Sequence, residues 1–261
     1  AHAIYDFLRD KVRNDFYFIS NLKSKKIFFK KKYLNLIISK SGNTLETIAN
    51  SNAYTNKNDR NILITENKKS ILKDISYKVK DEIINHNNFI GGRYSVLSEV
   101  GMLPAELMGL KEKKFKRFNN LIKNKYFFNS IVSNVVNIVE LIKSKKLNSV
   151  ILNYDETADN FLKWYQQLVA ESLGKKGQGV FPIISTMPKD NHSLMQLYLD
   201  GPKKNFFTFF NSKNLISDSL PGNSVLKQKK FFFRTNTLRA ETAIIVSCIA
   251  MKTIIGALPM H

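Results

Sequence analysis

Residues 163–202 read KWYQQLVAESLGKKGQGVFPIISTMPKDNHSLMQLYLDGP, and the rest of the chain is organised around them. Their first part has the spacing of an amphipathic helix that carries the carboxylate of Glu171. The apolar run 180–185 predicts a buried strand, and a polar loop then delivers His192 to the head of the next helix. Strand, loop and helix start in that order is where an open α/β sheet places its reactive groups. A base and an acid on neighbouring loops of one sheet are the minimum equipment for moving a proton beside a carbonyl.

Toward the amino end, residues 34–38 form a continuous apolar run of the length of a central parallel strand. The run feeds directly into SKSGNTLET at 39–47. A strand, a hydroxyl-rich loop with one glycine and a helix start together make a phosphate cradle, because the first N–H groups of a helix point at an anion and its dipole favours negative charge. The same residues also read as simple helix capping by Thr44 with Thr47, and the loop alone leaves both readings open. Residues 61–65 predict another strand and 71–84 an amphipathic helix. The stretch FIGGRYS at 89–95 then ends a third strand-like run on two glycines followed by Arg93. Paired glycines let backbone approach a ligand, and the adjacent guanidinium offers planar, permanently charged donors to an oxyanion.

Outside these blocks the pattern is structural. Residues 3–12 have helical spacing and 16–19 read as a short buried strand. Residues 105–145 are helical and polar-faced, with a core stripe of Ile131, Val135, Ile138, Val139 and Ile142 that carries no chemistry. Residues 147–152 and 205–210 predict strands, 213–230 a loop-rich connection and 238–257 a last long helix. Asp155 and Glu156, at adjacent positions in the polar turn 154–159, diverge from one another and read as capping groups.

The formal charge of +20 invites a nucleic-acid or anionic-membrane reading. The lysines, however, are scattered through every segment where a binding footprint would cluster, so we expect neither nucleic acid nor membrane as a partner. Cys248 is the only cysteine, which rules out an internal disulfide and a cysteine metal cluster. It reads as a buried thiol in a reducing, cytoplasmic setting. The apolar stretch 243–258 is interrupted by Lys252 and reads as a core helix. No signal peptide is visible, and the chain opens on Ala1 without a methionine.

Three blocks resemble the glucose-6-phosphate isomerase family. Tyr165-Gln166-Gln167 leading to Glu171-Ser172-Leu173-Gly174-Lys175, with Asp190-Asn191-His192-Ser193 and QLYLDG at 196–201, is similar to its C-terminal half. The loop at 39–47 resembles the sugar-isomerase (SIS) phosphate loop, and GGRYSVLS at 91–98 followed by VGMLP at 100–104 is similar to the family's second signature. Gly42-Asn43 departs from the Phe-Thr usual in the isomerase branch and is closer to the general SIS pattern, which weakens any statement of sugar preference. The resemblance implies an α/β fold of two SIS-type lobes, each a three-layer αβα sandwich with a mainly parallel sheet, and an active site where strand carboxyl ends of both lobes meet. Residues 1–104 are expected to be the first lobe, 105–146 a helical bridge and 147–261 the second lobe. Both ends look truncated: the family's serine-bearing glycine turn and its terminal segment with a glutamine and a lysine have no counterpart here.

What the resemblance implies for chemistry is aldose–ketose interconversion of glucose 6-phosphate and fructose 6-phosphate, a step of glycolysis and gluconeogenesis, without cofactor or metal. Removing the proton beside a carbonyl and returning it to the next carbon needs one carboxylate and fixed positive donors for the enediol oxygens. By position, Glu171 would be that base, Arg93 with Gly92 would steady the enediolate, and His192 would assist ring opening. Ser39, Lys40, Ser41, Thr44 and Thr47 would hold the phosphate, with Gln167 near the sugar. In the family the histidine comes from the partner subunit, which implies a homodimer with His192 donated across the interface. Two alternatives stand beside this reading: a broader SIS isomerase that also accepts mannose 6-phosphate, and a sugar-phosphate-binding regulator without catalysis, for which Glu171 would have no use as a base.

Overall fold

The computed structural model describes residues 1–22, 33–56 and 58–211, and the chain divides into two units, 1–115 and 116–261. The loop expected over 213–230, the helix expected over 238–257 and Cys248 lie outside the described residues.

The first unit opens on α1 (His2–Phe7) and a 3-10 turn (Arg9–Lys11), in place of one helix over 3–12. No strand forms at 16–19. Phe16 and Phe18, two apart on an extended segment, turn to one side, where Phe18 stacks on His2 at 4.2 Å and meets Tyr5 edge-on at 5.2 Å. The aromatic alternation that suggested pairing is satisfied by a helix.

An α/β alternation follows: β1 (Leu34–Ile38), α2 (Leu45–Tyr54), β2 (Arg60–Glu66), α3 (Ile71–Val79) and β3 (Glu82–His86). The strands pair in parallel in the order β1-β2-β3, with Leu36 opposite Ile62 and Ile62 opposite Glu82. Crossovers in one direction place α2 and α3 on one face, where Ile48 and Leu72 pack on Ile37, Leu63 and Ile83. The central strand among those described is therefore β2, and the apolar run of β1 lies at an edge. The helix expected over 71–84 stops at Lys80, which takes a left-handed conformation (φ 62°), and the Asp81 N–H closes the turn on the Ser76 carbonyl. Ile83 and Ile84, periodic with the helix in sequence, are instead recruited into β3 by pairing with β2. Residues 89–90, expected to end a strand, lie in the turn after β3. The unit closes with a 3-10 segment (Gly92–Leu97), α4 (Glu99–Leu107) and α5 (Glu112–Phe115).

The second unit begins with α6 (Phe118–Ile122) and α7 (Lys125–Lys143), followed by β4 (Asn148–Asn153), α8 (Asp159–Leu173), β5 (Phe181–Thr186), α9 (Met195–Asp200) and β6 (Asn205–Phe210). Its sheet is also parallel, in the order β5-β4-β6. The step from β4 to β5 and the step from β5 across to β6 run in opposite directions, so right-handed crossovers put α8 and α9 on opposite faces. Packing agrees. Val169 and Tyr165 of α8 meet Val180 and Phe206 on one side together with Ile138, Leu141 and Ile142 of α7, while Met195 and Tyr198 of α9 meet Val150, Leu152 and Ile183 on the other. Val139, counted in the apolar stripe, is exposed. Asp155 caps the turn before α8, its Oδ1 accepting from the Thr157 N–H at 3.0 Å. Among the described residues no helix is long and apolar enough to cross a membrane.

Candidate active site

In the first unit, every loop of interest leaves the carboxyl edge of one parallel sheet. Neighbouring strands lie ~4.8 Å apart, so the ends of β1 and β3 stand about 10 Å from each other with β2 between them.

The loop after β1 is fixed mainly by backbone. Ser39 is buried, its N–H donating to the Ile64 carbonyl and its Oγ lying 3.0 Å from the Thr44 hydroxyl and accepting from the Gly42 N–H. The Lys40 carbonyl accepts from the Glu66 N–H and the Thr65 hydroxyl. Gly42 adopts φ +66°, and a Cβ there would lie 2.2 Å from the Ser70 Oγ, so the position demands glycine on two counts. Beyond it, the Gly42 carbonyl accepts from Leu72 N–H and the Asn43 side-chain oxygen from Ile71 N–H at 2.9 Å, tying the loop to the first turn of α3. The departure from the isomerase branch at Gly42-Asn43 is thus a latch onto α3.

Thr44 occupies the N-cap of α2 but makes no side-chain cap. Its hydroxyl is engaged with Ser39 instead. The first N–H groups of α2 therefore receive no cap from the Thr44 side chain, and free N–H groups at a helix start are suited to an anion. Ser41 and Thr44 are exposed and Thr47 is half-buried. Lys40 Nζ lies 3.2 Å from the Glu66 carboxylate, as does Lys68 Nζ. Burial pushes Glu66 upward, but the hydrogen bonds and charges of Lys68 and Lys40 outweigh it and hold the carboxyl below its usual range. Lys40 thus contributes to the loop through its backbone while its ammonium is neutralised by Glu66.

After β3, Gly92 begins the 3-10 segment with open space where a Cβ would stand. Arg93 is half-buried, its guanidinium 4.7 Å over the Tyr94 ring. Ser95 donates to the Gly92 carbonyl at 2.6 Å and closes the turn.

In the second unit the expected base and acid are on one sheet but not on neighbouring loops. Glu171 lies in the last turn of α8, two residues past Val169, which packs on Val180 and Phe206 at the amino ends of β5 and β6. His192 follows the carboxyl end of β5, where Asp190 accepts from the Ser185 hydroxyl and the Thr186 N–H, both at 2.8 Å. Six strand residues at ~3.3 Å each separate these two edges by about 20 Å. The crossover itself dictates this: a helix returning from β4 to β5 ends where β5 begins. Glu171 is exposed and accepts from Gln167 Nε2 at 2.8 Å, one helical turn back. His192 is exposed. Hydrogen bonds from Ser185, then from Thr186 N–H and Ser193, hold the Asp190 carboxyl below its usual range despite partial burial. Asn43 and Asp190, named in the sequence only as parts of longer blocks, and Glu66, not named there, position the loops; polar residues at or just after each strand end were the available signal.

Among the described residues no group of His, Cys, Asp and Glu side chains is arranged to hold a metal ion. The family model described as phosphoglucose isomerase matches residues 4–181, a span that takes in the 39–47 loop, Arg93, Gln167 and Glu171. This chain belongs to that family. A glucose-6-phosphate isomerase from Methanocaldococcus jannaschii is 34% identical over 237 residues, covering 81% of this chain and 56% of the relative, and one from Mycoplasmopsis synoviae is 28% identical over 225 residues, covering 81% and 52%. The chain spans about half the length of the curated relatives it matches. The fold recurs in a hypothetical protein from Thermus thermophilus (TM-score 0.60, 23% identity, 85% of this chain and 57% of that one). It recurs again in a glucose-6-phosphate isomerase from Chlamydia trachomatis (TM-score 0.50, 21% identity, 69% and 39%).

Proposed function

We propose that this chain carries the base, the phosphate loop and the enediolate-stabilising arginine of a glucose-6-phosphate isomerase. The observation that carries the reading is that one family match encloses the anion-holding loop after β1, Arg93 and Glu171 together.

The phosphate of the sugar rests on the uncapped first turn of α2, with the Ser39, Ser41, Thr44 and Thr47 hydroxyls around it and Lys40 contributing its backbone. Glu171 takes the proton from C2 of the open aldose, the C–H electron pair forms the C1–C2 double bond and the C1=O π pair moves onto O1; the O2 hydroxyl proton passes to O1 through the cis-enediol, and the same carboxyl returns its proton to C1 as O2 becomes the ketose carbonyl. Arg93, with the open backbone at Gly92, meets the negative charge that develops on the enediol oxygens. Gln167 orients Glu171 and lies near the sugar. His192 assists ring opening, and it acts in the site of a second copy of the chain. The separation of Glu171 and His192 to opposite edges of the second sheet supports that last assignment, because one strand length is too far for both to reach one hexose. A homodimer is accordingly part of the proposal.

Glu171→Gln tests the reading. It is expected to bind fructose 6-phosphate within a few-fold of the wild-type affinity by calorimetry, while turnover falls by at least about 1,000-fold and solvent deuterium no longer enters C1 or C2. Retained turnover would remove Glu171 as the base, and a binding module without catalysis would then fit better.

A further inference from the structure

The buried His86 and the half-buried Glu99 bracket the segment that presents Arg93. His86 ends β3, and its side chain is 1% exposed. Its Nδ1 meets the Glu99 carboxylate and its Nε2 lies 3.1 Å from the Ile90 carbonyl oxygen. Carboxylate and carbonyl are both acceptors, and the ring ties to each through the nitrogen that faces it. Glu99 lies in the first turn of α4, where the helix dipole also favours its negative charge. Burial pushes its carboxyl upward, but its own N–H, the His86 ring and the Asn87 N–H outweigh that and hold it below its usual range.

The two side chains thus fasten three points: the end of β3, the carbonyl immediately before Gly91-Gly92, and the start of α4. Between those points Ser95 donates to Gly92 and Ser98 to the Ser95 carbonyl, and a Cβ at Gly101 would lie 1.9 Å from the Val96 carbonyl oxygen. The segment is therefore tied internally, and His86 and Glu99 hold its two ends.

We propose that His86 and Glu99 are a positioning pair that sets where Gly92 and Arg93 stand relative to the sheet edge, and hence where the guanidinium meets the enediolate. This rests on the role given to Arg93 above. Neither side chain touches the sugar. A displacement of about 1 Å at a charge-stabilising group costs up to about 100-fold in rate, so the pair acts on turnover through Arg93.

The test is a double-mutant cycle in the whole protein with hydrogen exchange beside it. His86→Gln, which has one amide nitrogen where the ring presents nitrogens on two sides, is expected to lower kcat by 10- to 100-fold with KM changed less than threefold. In an Arg93→Ala background the same substitution is expected to lower kcat less than threefold further. Amide exchange at 91–95 is expected to speed up at least tenfold in His86→Gln, with the amides of β2 unchanged. Glu99→Gln preserves shape and an acceptor, so it folds if His86→Gln does not; it is expected to move the same readouts in the same direction by less. An equal fall in kcat with and without Arg93, or unchanged exchange at 91–95, each overturns the proposal. If Arg93→Ala alone leaves kcat intact, the role of Arg93 fails, and the exchange at 91–95 still decides whether the pair holds the segment.

Discussion

The loop at 39–44 in the first unit and the Glu171 end of α8 in the second hold the two halves of the proposed chemistry, and they are built by opposite means. In the loop nearly every polar group is fastened by neighbouring backbone: Ser39 to Ile64, Lys40 to Glu66, Gly42 to Leu72, Asn43 to Ile71. Glu171 sits exposed in the last turn of a helix, bonded to Gln167 of the preceding turn. Anion binding needs donors fixed in advance, and one sheet edge with the helix it feeds supplies them. Ring opening and proton transfer need an acid and a base at one sugar, and a single βαβ crossover sends His192 and Glu171 to opposite edges.

The sharpest way to break that comparison is to ask whether the second unit is self-sufficient. Glu171→Gln and His192→Ala are each expected to lower turnover, the first by at least about 1,000-fold and the second by about 100-fold. Mixed as hetero-oligomers, they are expected to regain roughly half of the wild-type activity, because one of the two sites then has both groups intact. Failure of the mixed sample to exceed either parent, with hetero-oligomers verified by differential tags, would place both residues in one subunit's site and contradict the topology of α8 and β5.

The loop's dependence on α3 gives a smaller and more local effect. Gly42→Ala places a methyl 2.2 Å from the Ser70 Oγ at a left-handed backbone position. It is expected to destabilise the protein by about 2–4 kcal/mol in urea unfolding, adding conformational strain to overpacking. The same substitution is expected to weaken sugar-phosphate binding at least tenfold, since the loop cannot keep its path. Asn43→Ala removes only the acceptor for the Ile71 N–H, and its expected cost is about 1 kcal/mol with a few-fold loss in binding. Equal costs for the two would mean that the hydrogen bond to α3, and not the glycine conformation, sets the loop.

These contrasts also separate what the sequence discloses from what it conceals. The apolar runs of β1, β2, β4, β5 and β6 are legible because parallel strands are buried on both faces and read as continuous hydrophobic stretches. The motif residues Ser39, Arg93 and Glu171 are legible for a different reason: they stand in long ordered blocks. Position within the sheet is not legible, since β1 looks central by composition and lies at an edge among the described strands. Nor is the end of α3, where Ile83 and Ile84 continue a helical period that tertiary pairing with β2 overrides. The strand expected at 16–19 fails because alternation reports a shared face and says nothing of which partner covers it. The opposite placement of Glu171 and His192 follows from chain direction alone, yet only once the crossover is known to be complete within 154–186. Asn43, Glu66, His86 and Asp190 are invisible in isolation, because a polar residue after a strand acquires its role from the neighbour it meets.

Asp190 sharpens the comparison at its finest grain, since it does for the His192 loop what Gly42 and Asn43 do for the phosphate loop, but with charge. Its carboxylate accepts from the Ser185 hydroxyl, the Thr186 N–H and the Ser193 hydroxyl, and its folded value lies below its ordinary value of about 3.9. A carboxyl depressed on folding binds fewer protons in the native state, so its stabilising contribution is complete above the unfolded value and is lost as pH falls through the folded one. Because the group is only partly buried, the contribution is of order 0.5 kcal/mol. Asp190→Asn is therefore expected to be slightly less stable than wild type at pH 7 in thermal unfolding, and the two curves are expected to converge as pH drops below about 4. A gap that stays constant into acid would mean that the asparagine disturbs packing and that the charge of Asp190 does not hold the loop. A gap that closes, accompanied by faster amide exchange at 190–193 in the variant at neutral pH, would show the His192 loop fastened to β5 by one ionised side chain where the phosphate loop relies on backbone.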